Sequence, residues 1–270
     1  MRRYSLLLVF CLVLGRAGTS VAATGASLAS HGAATEGGAP AVLAAAESKG
    51  GPTPYPTDET DWPGVGVIRV FDFMTQIRQY FWSQRLVNQG AVVFAGDSNI
   101  GGWTTLKEDF SPLPVANVGI GGDVSRGLLF RLKEDVIDLI PRAVVILIGF
   151  NDLSAKEQPS LFVSNVKSIL KMLRDYSYSL PIVLCNLPPG DSKDVSGVSR
   201  TDRLELNSRL DSLSTPDPNL VLLDLYHLLT LPDGSFDYSN FYADRLHISP
   251  VGYKKFHNAL ISIFRRLQVE

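Results

Sequence analysis

The chain has 270 residues, 45% of them hydrophobic and 19% charged, with a formal net charge of -2 at pH 7. That is material for one sizeable core. With no basic excess to neutralise phosphates, nucleic acid is excluded as an expected partner, and pairs such as Lys254-Lys255 and Arg265-Arg266 read as solvated helix faces.

At the N-terminus, Arg2 and Arg3 precede the apolar run YSLLLVFCLVLG, and the small-residue stretch GTSVAATGA follows. These match the three regions of a signal peptide, so residues 1–23 are expected to be cleaved and the protein to enter the secretory pathway and be secreted. The run is shorter than the ~20 residues of a spanning helix, so no stable membrane span is expected after cleavage. A signal anchor or an organelle address is the alternative. Residues 24–61, rich in Ala, Gly, Ser, Pro and Thr, read as a flexible leader that cannot repay its ordering entropy. Residues 62–270 are then expected to be one domain. Cys11 lies in the signal and Cys185 sits in the apolar run PIVLCNL, where it reads as a buried, inert thiol.

A helical pattern over 69–87 leads into five short apolar runs at 91–96, 115–119, 143–149, 181–187 and 220–225. Runs apolar throughout predict strands buried on both faces, the mark of a parallel sheet. Between and after them, apolar residues recur at three and four: Leu128, Leu129, Leu132, Val136 and Ile137; Leu161, Phe162, Val166, Ile169, Leu170 and Leu173; Phe256, Leu260, Ile263, Phe264 and Leu267. Alternating strands and helices predict a doubly wound α/β fold of three layers. In such a sheet the candidate site lies beyond the carboxyl ends of the strands.

Those ends are polar: Gly96-Asp97-Ser98-Asn99, the stretch from Asn117 to Asp123, and Gly149-Phe150-Asn151-Asp152, with Asp244 and His247 ahead of the last helix. A serine becomes a nucleophile when an imidazole takes its proton, and a carboxylate must hold that imidazole. Ser98, His247 and Asp244 supply the three roles, and the Asp-x-x-His spacing lets carboxylate and ring share one side of a turn. The backbone N–H of Ser98, the N–H of Gly122 and the Asn151 amide are candidate donors to a developing oxyanion. Taken singly, each has a plainer reading: Ser98 as a helix cap, Gly121-Gly122 and Asn151 as turn formers, Asp244 as a partner of Arg245. Asp97 and Asp123 read as loop-ordering acceptors, and Asp152 as a strand-end turn former. Among the histidines, His31 lies in the leader, His227 follows a strand and His257 sits within the last helix. His247 is the one selected, for the carboxylate three residues ahead of it and its place at the strand rim.

The blocks GDS, NVGIGGD, GFND and DRLH, in this order, resemble the SGNH hydrolase superfamily, or GDSL-type esterases. NVGIGGDVSRGLLFRL and PRAVVILIGFND look most like the branch of platelet-activating-factor acetylhydrolase catalytic subunits. The resemblance implies a flavodoxin-like α/β/α sandwich with strand order 2-1-3-4-5 and ester hydrolysis with no metal or other cofactor. It puts the nucleophile on Ser98, the oxyanion donors on Ser98, Gly122 and Asn151, and the acid and base on Asp244 and His247. Asn99 stands where the family usually has leucine, a difference that touches packing, and Phe150 where threonine is frequent.

The expected substrate is a short acyl or acetyl ester of a sugar or lipid. The loops NIGGWTTLKEDFSPLP, LPPGDSKDVSGVSRTD and LPDGSFDYSNFY are the expected pocket walls, with Trp103, Phe150, Phe241 and Tyr242 as candidate stacking or lining residues. An α/β-hydrolase reading fails because Ser98 lacks the Gly-x-Ser-x-Gly elbow, and a metallophosphoesterase needs more histidine ligands than this rim offers. The remaining alternative is a secreted carbohydrate- or lipid-binding module of the same fold without turnover.

Overall fold

The computed structural model describes residues 50–190, 197–213 and 217–269. The expected signal peptide at 1–23 and the leader up to residue 49 lie outside the described residues. Five strands, β1 (Val92–Gly96), β2 (Val115–Gly119), β3 (Ala143–Leu147), β4 (Ile182–Cys185) and β5 (Leu220–Leu223), form one parallel sheet in the order β2-β1-β3-β4-β5. All residues of β1, β3 and β4 are buried, as apolar runs covered on both faces require.

The helices are α1 (Asp72–Gln84), α2 (Ser98–Gly101), α3 (Leu106–Asp109), α4 (Ser125–Asp135), α5 (Phe150–Ser154), α6 (Pro159–Tyr176), α7 (Arg200–Asp211), α8 (Leu225–Leu228) and α9 (Pro250–Arg266). Right-handed crossovers fix their faces. The β1-to-β2 connection runs one way along the sheet and every later one runs the other way, so α2 and α3 lie on one face and α4, α6 and α7 on the other. Trp103, between α2 and α3, stacks on Tyr253 at 4.7 Å between centroids and meets Phe256 at 5.2 Å, which seats α9 beside them. On the opposite face α4 packs against α6 and α1, and α6 against α7.

In two places the structure departs from the expectations. The folded part begins ahead of Trp62. Tyr55 stacks on Trp62 at 5.6 Å and both rings meet Phe130 of α4. Arg78 of α1, 2% exposed, donates to the Thr53 carbonyl at 2.6 Å and to Glu134 at 2.7 Å. Two aromatic rings among stiff prolines supply the apolar area that average composition hid. Secondly, α7 occupies part of what reads as a loop. Its sequence RTDRLELNSRLD buries Arg203 and Asn207 beside Leu206 and Leu210, so its inward face carries no clean apolar stripe.

Candidate active site

Strand register sets the stage for the site. Gly96 pairs with both Gly119 and Leu147, so β1, β2 and β3 end level at one edge. Here the connection from β1 leaves in one direction and that from β2 crosses to β3, the switch point where open sheets form crevices. Asp97 follows β1 as the N-cap of α2, its carboxylate accepting the Asn99 N–H at 2.9 Å. The cap is thus Asp97, and the Ser98 hydroxyl is left for another partner.

That partner is His247. The Ser98 hydroxyl lies 3.0 Å from Nε2 of His247, and Nδ1 of the same ring lies 2.7 Å from Oδ2 of Asp244. Oδ1 of Asp244 accepts the backbone N–H groups of Leu246 and His247 at 2.9 and 3.0 Å. The carboxylate therefore grips the histidine by ring and backbone together. Partial burial acts to raise the Asp244 pKa, but the His247 hydrogen bonds outweigh it and hold this carboxyl below its usual range. The His247 side chain is 39% exposed and the Asp244 side chain 49%, so the dyad stands open to solvent. Ser249 caps α9.

Gly122 and Asn151 come to the same edge. Gly122 has φ +80°, a conformation that glycine adopts without strain, and a Cβ there would press on the Phe71 ring at 3.2 Å. Among the described residues, the N–H groups of Ser98 and Gly122 have no intramolecular acceptor. The Asn151 amide donates one hydrogen to the Asp123 carbonyl at 3.0 Å, which fixes its plane and leaves the second N–H free of that contact. Beneath the glycine loop, fully buried Arg131 binds Asp123 at 2.8 Å, the Val118 carbonyl at 2.8 Å and the Gly96 carbonyl at 3.1 Å. This one cation ties the ends of β1 and β2 to the loop. Asp152 accepts the N–H and hydroxyl of Ser125, locking α5 to α4; burial pushes its pKa up to about 6 against those hydrogen bonds.

Four features are absent from the sequence reading or differ from it. Arg69 donates to Oδ1 of Asn151 at 3.2 Å and to Ser154 at 3.1 Å, and a lone arginine upstream of α1 carries no sequence signal for this. Asn99 does more than pack: its Oδ1 accepts the N–H of Ile248 at 3.0 Å. A second Asp-x-x-His, Asp224 and His227 after β5, copies the local geometry with 2.6 Å between Oδ2 and Nδ1, but its partners are Asn186 and solvent; the spacing itself was the available signal. Trp103, Phe150 and Phe241 are 1%, 5% and 5% exposed and belong to the core, so of the four candidate lining aromatics Tyr242, at 51%, is the exposed one. Phe150 lies under the Arg203 guanidinium, 4.8 Å away, and the loop carrying Trp103 is folded inward by the aromatic cluster with Phe94 and Phe110.

Cys185 is buried, and burial raises its thiol pKa well beyond the usual range. Among the described residues no cluster of three or more His, Cys, Asp or Glu side chains is arranged to hold a metal ion, and no helix is long and apolar enough to cross a membrane.

Comparison with known proteins agrees with this architecture. Residues 82–255 match the model of the GDSL-like Lipase/Acylhydrolase family. Platelet-activating factor acetylhydrolase IB subunit alpha1 of Rattus norvegicus is 28% identical over 180 residues, which are 65% of this chain and 75% of that protein. Among solved structures, a GDSL-like lipase from Bacteroides thetaiotaomicron superposes with a TM-score of 0.60 at 20% identity, over 69% of this chain and 97% of the other. An acetyl xylan esterase superposes with a TM-score of 0.56 at 22% identity, over 64% and 98%.

Proposed function

Because the chain belongs to the GDSL-like lipase/acylhydrolase family and is a carboxylic ester hydrolase, we propose that Ser98 is its nucleophile, His247 its base and Asp244 the carboxylate that orients the base. The observation carrying this reading is the unbroken hydrogen-bond chain from Asp244 through His247 to Ser98. Neutral His247 takes the Ser98 proton on Nε2 as the serine oxygen bonds to the ester carbon. The negative charge on the carbonyl oxygen is met by the N–H groups of Ser98 and Gly122 and by the Asn151 amide. As the alkoxy bond breaks, His247 returns the proton to the departing alcohol. Water then adds to the acyl-serine, giving its proton to His247, and the serine oxygen recovers it as the acid leaves.

The substrate in this reading is a short acyl ester, acetyl above all, on a sugar or lipid alcohol. Its support is the acetyl chemistry in the names of the rat relative and the acetyl xylan esterase, together with a solvent-open dyad and an exposed Phe71 ring against Gly122. Passage through the secretory pathway rests on the composition of residues 1–23. Sequencing the N-terminus of the native protein tests cleavage, which a retained Met1 would remove, and cell fractionation tests passage through the pathway, which a protein found in the cytosol would remove.

Replacing Ser98 by Ala is expected to cut kcat on p-nitrophenyl acetate by several orders of magnitude while leaving thermal unfolding unchanged. Near-normal turnover by Ser98→Ala would remove the nucleophile assignment. A p-nitrophenyl ester series of increasing chain length, followed by acetylated glycans and acetylated lipids, then defines the acyl and alcohol preferences. Rates that rise with chain length would overturn the short-acyl reading.

A further inference from the structure

The two segments that carry the proposed nucleophile and base lie far apart in the chain, and each is internally well held. Around His247 the bonds from Asp244, and that from the Tyr242 N–H to the His247 carbonyl at 2.8 Å, are all local. Around Ser98, the Asp97 cap and the bond from Gly101 N–H to the Asp97 carbonyl at 2.9 Å are local as well. Local bonds shape each segment but do not set one against the other.

Asn99 makes the connection. It is 2% exposed, and its Oδ1 accepts the N–H of Ile248, the residue after His247, at 3.0 Å. Its backbone carbonyl accepts the Tyr253 hydroxyl of α9 at 2.9 Å. The contact between residues 98 and 247 is thus doubled, one position along each segment, by a bond between 99 and 248. Leucine, the usual residue at this position in the resembled family, has no acceptor to offer the Ile248 N–H.

We propose that Asn99 is a positioning residue for ester hydrolysis in this chain: its amide oxygen holds the histidine-bearing segment in register with the nucleophile turn. The inference rests on the assignment of Ser98 and His247. The hydrogen bond from Ser98 to Nε2 spans 3.0 Å, and a displacement of about 1 Å in a reacting pair is sufficient to cost on the order of 10²-fold in rate. Substrate contacts are not involved, so the effect belongs in the acylation rate rather than in binding.

Two substitutions separate this role from packing. Asn99→Leu fills the space without an acceptor, whereas Asn99→Asp keeps an oxygen in place for the Ile248 N–H. With p-nitrophenyl acetate as probe, Asn99→Leu is expected to lower kcat and the pre-steady-state burst rate about 10- to 100-fold with KM within roughly twofold. Asn99→Asp is expected to recover most of that loss. Wild-type burst rates in Asn99→Leu would overturn the proposal, and so would equal losses in both variants that track a fall in Tm, since that pattern marks plain structural damage. Should Asn99→Leu fail to fold, Asn99→Ala removes the same acceptor without an added branched side chain and is expected to slow the burst by a similar factor; an unchanged burst there would count against the proposal. Ser98→Ala keeps the two questions apart. If it retains activity the nucleophile reading fails, and if it is inactive while Asn99→Leu is normal only the present inference fails.

Discussion

Asp97→Asn turns the burial of one carboxyl group into a measurable slope. Asp97 is 2% exposed, and burial pushes its pKa from the ordinary 3.8 up to about 7, against the opposing pull of the Asn99 N–H and of His247. A group that binds its proton more tightly in the folded state than in the unfolded chain contributes stability that is complete below the unfolded pKa and is lost as pH rises through the folded one. At about 1.4 kcal/mol per pH unit, the interval from about pH 4 to about pH 7 amounts to roughly 4 kcal/mol. Asparagine keeps an oxygen for the Asn99 N–H and does not titrate. Urea unfolding of both proteins at a series of pH values between about 4.5 and 8 gives the difference in stability, variant minus wild type. That difference is expected to climb by about 1.4 kcal/mol per pH unit up to about pH 7 and then level off. The protonation of Asp152 is common to both proteins and cancels. Parallel stability curves, or a difference that falls as pH rises, would refute the reasoning and mean that the hydrogen bond and the histidine keep Asp97 an ordinary carboxylate.

Asn151→Ala is expected to lower kcat on p-nitrophenyl acetate by about 10²- to 10³-fold, the usual loss for one oxyanion donor; a change confined to KM would remove that role. Arg69→Gln deprives the same amide of its cationic neighbour, and steady-state kinetics are expected to register a smaller loss in kcat, about tenfold. His227→Ala breaks the Asp-x-x-His copy after β5, which reaches no serine, and its kcat/KM is expected to stay within about twofold of wild type. Trp103→Ala is expected to cost about 3–5 kcal/mol in denaturant unfolding, the price of emptying a buried aromatic site, with no selective rise in KM for acetylated sugars.

What the sequence made legible follows from the range of the forces involved. Strands β1, β3 and β4 were readable because burial on both faces leaves an apolar run with no alternation, with β1 from Val92 to Gly96 the plainest case, whereas the apolar run of β5 is only half-buried at the sheet edge. That Ser98, Gly122 and Asn151 would come to one edge was readable because short blocks at the ends of parallel strands share it, and the Asp244-x-x-His247 pairing was readable from its spacing. The partners of those residues were not. The Asn99 oxygen and the Ile248 N–H lie 149 positions apart, and Arg69 and Asn151 lie 82 apart, so no local pattern announces either bond. Helix α7 escaped because it turns Arg203 and Asn207 inward, inverting the polarity that reveals a helix. Trp103 and Phe241 were offered to the rim because a sequence gives the size of a ring but not what covers it. The repeated Asp-x-x-His shows the same limit from the other side: two identical turns, one of which meets a hydroxyl.

The rings of Tyr55 and Trp62, which meet Phe130 of α4, and the chain running from them to α1 lie ahead of residues 82–255, the span that the family model matches. Yet that chain brings Arg69 to the Asn151 amide and Phe71 to the face of Gly122. The candidate site is therefore braced by residues that lie outside the span of the family model. A chimera exchanging residues 82–255 alone would import another enzyme's strand ends while keeping this one's doorpost, and a faithful transplant has to start at Tyr55.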